Sequence, residues 1–326
     1  ATANTFKGYT LQLAKDIHLN GELWNPIGAT GLFEGTFDGN GHKIEGLFVF
    51  AKNRASAGLF ANCRGTIKNL TVVNAEVYGN YNAGVIVGNG LCAKIENCHV
   101  DGAIVESTPW LTDKGYDDGN NVGGIVGYLS AEPTAYVKGC TVKNAKITAY
   151  RKVGGIVGAA NGAAEVSGNT VEGTAVTADM TAEYKEVKPA DVGAVVGWAH
   201  AAAIVKDNTP VSGPNVANEK AVKVFVKVKD GYDITNNSDF AVVIPEGEYT
   251  FTEDVKSQSI QVREGEVEIT AGNIETGNAN QYGFVAEGEN TSLVINDADI
   301  NSLGGGIGAS DGAQVTFKNG ELAVNS

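Results

Sequence analysis

Four cysteines, four histidines and a surplus of carboxylates are the groups in this 326-residue chain that could carry chemistry. Cys98 and Cys140 take the same place in two successive copies of a repeated run, and Cys63 and Cys92 are roughly matched one copy earlier. Strands about 4.8 Å apart would bring such a pair within disulfide reach. Stacked thiols also fill an interior as small hydrophobes, and free thiols are the expected state. His18, His42, His99 and His200 are scattered, so no metal site forms around the cysteines and no nucleophile has a readable base. Asp113, Asp117, Asp118, Asn120 and Asn121 could offer oxygens to Ca²⁺, but their spacing departs from the EF-hand loop and reads as solvated turn acids. Glycosidic cleavage needs two carboxyl groups about 5 to 9.5 Å apart. Outward-facing acids here alternate with bases instead. The sequence therefore assigns no catalytic residue, no metal and no cofactor.

Aromatic residues give the stronger signal. Tyr78, Tyr81, Trp110, Tyr116, Tyr150 and Tyr184, together with Arg151, lie in or beside two insertions, 106–120 and 178–190, that interrupt an otherwise regular pattern. Flat rings flanked by polar groups on a rigid scaffold can stack on sugar rings or anchor a protein partner. Packed inward, the same rings would only tie down their own loops.

The scaffold is written in repeats. A glycine phrase recurs as Gly58-Leu-Phe60, Gly84-Val-Ile-Val-Gly88, Gly123-Gly-Ile-Val-Gly127, Gly154-Gly-Ile-Val-Gly158 and Gly193-Ala-Val-Val-Gly197. After each comes a second run: 67–77, 95–105, 137–147 and 166–176, with a weaker copy from Ile204. Its third position is Asn69, Asn97, Gly139 or Gly168, and its eighth is Asn74, Gly102, Asn144 or Gly173. Asn and Gly accept positive φ, so these positions between alternating apolar residues predict short strands joined by tight corners. Strands too short to fold alone must stack to bury their apolar sides. The predicted fold is all-β, a parallel β-helix. If the copies stack in register, Lys68, Glu96, Lys138 and Ser167 form one outward column, and Val73, Asp101, Lys143 and Glu172 another. Opposite charges on neighbouring strands add about 0.2 to 1 kcal/mol each and disfavour slipped registers.

Composition agrees with many small turns: 43 Gly, one Met and 8% aromatics. Net charge is −14, unevenly placed, with 17 basic and 20 acidic residues in 1–216 against 7 and 18 in 217–326. No basic face is available for nucleic acid. No apolar run approaches the roughly 20 residues needed to span a bilayer. A Pro/Gly junction at Thr209-Pro-Val-Ser-Gly-Pro214 ends the first repeat series, which sets the expected boundary: 1–216, then a second, acidic β-helical segment, 217–326.

Asp16-Ile-His-Leu19, Trp24-Asn-Pro-Ile-Gly28, Phe37-Asp-Gly-Asn-Gly-His-Lys-Ile44, Gly46-Leu47 and the Gly-Gly-Ile-Val-Gly phrases resemble the GLUG-motif repeat proteins over about residues 5 to 205. That resemblance implies a right-handed parallel β-helix with an N-terminal cap-like segment. It also implies an adhesin-like protein, extracellular or at the cell surface, recognising a glycan or a host or neighbour surface protein without catalysis. Two alternatives stay open: a polysaccharide lyase or glycoside hydrolase on the same scaffold, and a purely structural spacer or fibre module.

Overall fold

The computed structural model describes residues 5–51, 55–107, 111–112, 115–116, 121–131, 134–179, 191–200, 202–209, 223–227, 237–243, 247–251, 255–262, 265–276, 282–303 and 305–325. Among these there is no helix, and every strand pair is parallel except one short hairpin. The chain is a right-handed parallel β-helix, the hand that parallel crossovers almost always take. It divides into two compact units, one built mainly from Ala1–Ala178 and Glu183–Gly213, the other mainly from Val224–Ser326.

In the first unit the turns build five ladders, the longest of seven strands and the shortest of four. The Ile67 ladder stacks Thr10–Gln12, Thr36–Asp38, Thr66–Lys68, Lys94–Glu96, Tyr136–Lys138, Glu165–Ser167 and Ile204–Lys206. Its inward column runs Leu11, Phe37, Ile67, Ile95, Val137, Val166 and Val205. The Val72 ladder follows, with Ile44, Val72, Val100, Val142 and Val171 inward. The Val77 ladder comes third, with Val49, Val77, Val105, Ile147 and Val176 inward. Apart from the two end residues Leu11 and Val205 these columns are buried, and period-2 alternation puts their neighbours outside.

Every predicted corner is a corner. Asn69, Asn74, Asn97 and Asn144 have φ of 51 to 53°, and Gly102, Gly139, Gly168 and Gly173 have φ of 57 to 70°. Asn144 Nδ2 donates to Asp101 Oδ1 at 2.8 Å and Asn69 Nδ2 to Asp38 Oδ1 at 3.1 Å, tying corners to strands of the turn before.

The outward columns stack as the pattern required, Lys68 beside Glu96 beside Lys138, and Asp101 beside Lys143 beside Glu172. Lys143 Nζ meets Glu172 Oε2 at 3.0 Å. Lys68 meets Asp38, its register neighbour on the turn before, at 3.5 Å, but Lys138 reaches diagonally to Glu165 at 2.6 Å. A long lysine spans a diagonal as easily as a rung, so register alone did not name its partner.

The glycine phrases build the remaining two ladders. Asn82–Gly84, Asn121–Gly123, Lys152–Gly154 and Asp191–Gly193 form the Ala83 ladder, and Phe60–Cys63, Val87–Leu91, Val126–Ala131, Val157–Gly162 and Val196–Ala199 form the Gly90 ladder. In the first turns the core is filled by Phe33, Phe37 and Phe60, with ring centroids 4.9 and 5.4 Å apart. Further along, aliphatic residues and glycine replace them.

All four cysteines are free. Cys98 and Cys140 are fully buried, and each thiol donates to the carbonyl two residues before it, at 3.3 and 3.4 Å. Burial pushes the Cys63 thiol up to about 12, and burial, then the neighbouring Cys140, raises Cys98. Cys63 pairs in register with Gly90, so Cys92 is not its stacking partner and instead occupies a turn at φ 61°.

The second unit stacks Val267, Leu293 and Val315, and beside them Ile269, Ile295 and Phe317, in one ladder. Phe284 and Ile307 are paired in another.

Candidate functional site

Both insertions leave the helix at one place. Strands Ile104–Ser107 and Ala175–Asp179 of the Val77 ladder precede them, and Asn121–Gly123 and Asp191–Gly193 of the Ala83 ladder follow. The edge between these ladders is thus where the repeat is free to lengthen without disturbing the stack.

The outer face of the Val77 ladder leads to that edge. One outward column runs Phe48, Glu76, Ile104, Lys146 and Ala175; the next runs Phe50, Tyr78, Glu106, Thr148 and Thr177. Tyr78 is half-buried, its ring edge-on to Phe48 at 6.2 Å and its hydroxyl donating to Glu76 Oε2 at 3.3 Å. Burial, and then the charge of Glu76, raises the Tyr78 phenol above its ordinary value. Phe50, 52% exposed, and the carboxylates Glu76 and Glu106 extend this face. Sequence reasoning passed over Phe50, although the alternation of Phe48-Val-Phe50 already put it on the Tyr78 side. Aromatic surface beside carboxylate acceptors suits a ligand rich in hydroxyl or amine donors.

The other expected residues divide. Tyr81 is half-buried at the edge, and its carbonyl receives the Asn121 N–H at 3.1 Å. Tyr150 is buried, 4% exposed, so its ring serves packing rather than an open surface. Arg151 lies in the matching corner, its guanidinium 3.5 Å from Asp191, with that side chain 17% exposed. Tyr116 belongs to the hairpin Leu111–Thr112/Gly115–Tyr116 within the first insertion. Trp110 and Tyr184 lie outside the described residues, as do Asp113, Asp117, Asp118 and Asn120.

Beneath the edge the Ala83 ladder carries Asn82, Asn121, Lys152 and Asp191 in register. Asn121 Nδ2 donates to Asn82 Oδ1 at 2.7 Å, and Lys152 Nζ sits 4.6 Å from the centre of the Trp198 ring. The histidines stay apart: His18 meets Glu45 at 3.2 Å and His42 meets Asp16 at 3.1 Å, both near the start of the chain. Among the described residues no group of three or more His, Cys, Asp or Glu is arranged to hold a metal ion. No helix among them is long and apolar enough to cross a membrane.

No protein-family model matches the chain. A 103-residue stretch, 31% of this chain, is 35% identical to Halomucin of Haloquadratum walsbyi and covers 1% of that protein's length. A solved Bacteroides ovatus protein, provisionally named an immunoglobulin A1 protease, aligns over 94% of this chain and 77% of its own, with a TM-score of 0.44 and 17% identity. A likeness that distant bears on neither chemistry nor partners.

Proposed function

We propose that the chain is a non-catalytic, adhesin-like binding protein, secreted or displayed at a cell surface, that recognises a glycan or a protein through the edge beside the Val77 ladder. The observation that supports it is the concentration of variation at one place: both insertions leave from this edge, next to a face carrying Phe50, Tyr78, Glu76 and Glu106. Stacked ladders supply rigidity, and loops on a rigid scaffold supply recognition. The resemblance of the glycine phrases to GLUG-motif repeats points the same way. Tyr78, Tyr81, Trp110, Tyr116 and Tyr184 are the contact residues in this reading, with Tyr150 and Arg151 shaping the corner beneath them.

Replacing Tyr78, Trp110, Tyr116 and Tyr184 by Ala, singly and together, tests it on immobilised glycans and surface proteins. Loss of binding with unchanged thermal stability supports the edge. Binding indifferent to all four substitutions removes it from consideration.

A further inference from the structure

The outer face of the Gly90 ladder carries a second set of rings, and in each turn the Ala83 ladder stands between it and the Val77 ladder. One outward column runs Asn62, Asn89, Tyr128, Ala159 and Trp198 in register, and beside it run Leu91, Ser130 and Asn161. Apart from Ala159, all of these side chains are half-buried and keep some surface open. Tyr128 and Trp198 stand two strands apart, about 9.6 Å at the usual strand spacing of roughly 4.8 Å. Ala159 between them is 0% exposed although its column faces outward, so neighbouring side chains close over it and no pit opens between the two positions.

Both rings are held. Asn161 Nδ2 donates to the Tyr128 hydroxyl at 2.8 Å. Lys152 Nζ sits 4.6 Å from the centre of the Trp198 ring, and the His200 ring meets Trp198 edge-on at 6.3 Å. No ring contact joins Tyr128 to Trp198, so they act as two separate platforms. Rings fixed in this way lose little freedom when a flat ligand stacks on them.

Charge and spacing together define the ligand. Neither column contains an acidic residue, whereas the Ile67, Val72 and Val77 ladders all carry outward carboxylates, such as Glu96, Asp101 and Glu106, in a chain of net charge −14. Amides and hydroxyls flank the rings instead, as donors and acceptors for sugar hydroxyls. A repeating platform fits a repeating ligand. In an extended β-1,4-linked glycan successive rings are turned over, so every second ring presents the same face, at a repeat close to two strand spacings. We propose that this face binds a linear β-1,4-linked glycan laid along the helix axis, with Tyr128 and Trp198 stacking on alternate sugar rings. The site requires neither the insertions nor the Val77 face.

The test is isothermal titration of the intact protein with β-1,4-linked hexamers of glucose, N-acetylglucosamine and mannuronate, their dimers, and the α-1,4-linked glucose hexamer, whose coiled chain does not match the spacing. At least one β-1,4 hexamer binds, at least tenfold more tightly than its dimer, which reaches only one platform, and the α-1,4 hexamer does not bind. Tyr128→Ala and Trp198→Ala each weaken binding about tenfold, the loss of one stacking contact. Trp198→Phe, which keeps a flat ring, retains most of it, and Tyr136→Ala on the Ile67 ladder leaves it unchanged. The linkage and length comparisons use the unaltered protein and decide the matter even where an alanine variant unfolds. No binding of any β-1,4 hexamer, equal binding of the α-1,4 hexamer, equal affinity for dimer and hexamer, or affinity untouched by both alanine substitutions overturns the assignment.

Discussion

Gly124 faces Val142 across the interior of the helix so closely that a β-carbon on Gly124 would stand 2.8 Å from a Val142 methyl. Gly155 stands in the same relation to Val171, at 2.9 Å. The second glycine of the phrase is therefore a packing requirement in these turns. Turns nearer the start carry Leu59 and Val85 there, where the large Phe33, Phe37 and Phe60 rings accompany a different filling of the core. Gly124→Ala is expected to cost at least about 1 to 3 kcal/mol through overpacking. Gly272, with nothing within 4 Å of an added β-carbon, provides the control, and its Ala variant stays within about 0.5 kcal/mol of wild type. Urea unfolding of both variants decides the matter, and equal stabilities would contradict it.

Corners offer a second check. Gly102 has φ of 70°, and a β-carbon there would meet Asn74 Oδ1 at 2.7 Å; Gly173 and Asn144 repeat the arrangement. Gly102→Ala should cost at least about 1 to 2 kcal/mol from the left-handed backbone alone. Adding Asn74→Gly recovers the steric part, so the double variant melts above the single one. A double variant melting below both singles would refute the stacking explanation.

Acid stability follows from the carboxylates. Hydrogen bonds from the Asn40 N–H and the Asn69 side chain, with Lys68 nearby, hold Asp38 below its ordinary value. Lys138 and Ser167 do the same for Glu165, and Lys43 for Glu45. Groups depressed in the folded state stabilise it fully above their unfolded values, about 3.9 for Asp and 4.3 for Glu, and lose that effect as pH falls through the lower folded values. Melting temperature is expected to be flat near neutrality and to fall below about pH 4. Glu165→Gln should lower the plateau and shallow the fall, and an unchanged profile would rule its pairing out as a contributor.

Thiol labelling reads the core directly. Cys63, Cys98 and Cys140 are fully buried, and burial keeps Cys63 and Cys98 protonated at ordinary pH. Iodoacetamide at pH 8 is expected to modify at most Cys92 in the folded protein and all four cysteines in urea, since the thiolate is the reactive form. Modification of Cys98 or Cys140 before unfolding would place them elsewhere.

Much of this architecture could be read from residue spacing. Asn69, Gly102, Asn144 and their equivalents marked the corners because few other residues tolerate positive φ, and the valine columns marked the interior because alternation has only two phases. Side-chain destinations were less legible. Lys138 chose a diagonal partner, and Cys92 fell on a turn rather than opposite Cys63. Tyr150 turned inward although its neighbours suggested an exposed edge.

One measurement bears most directly on the proposal of a non-catalytic binding edge: a broad glycan array probed with the intact protein, each hit then incubated with it and analysed for products. The account predicts retained binding that Tyr78→Ala and Trp110→Ala diminish, and no new reducing ends or unsaturated sugars. Cleavage of a bound glycan, or binding that ignores the edge substitutions, would contradict it.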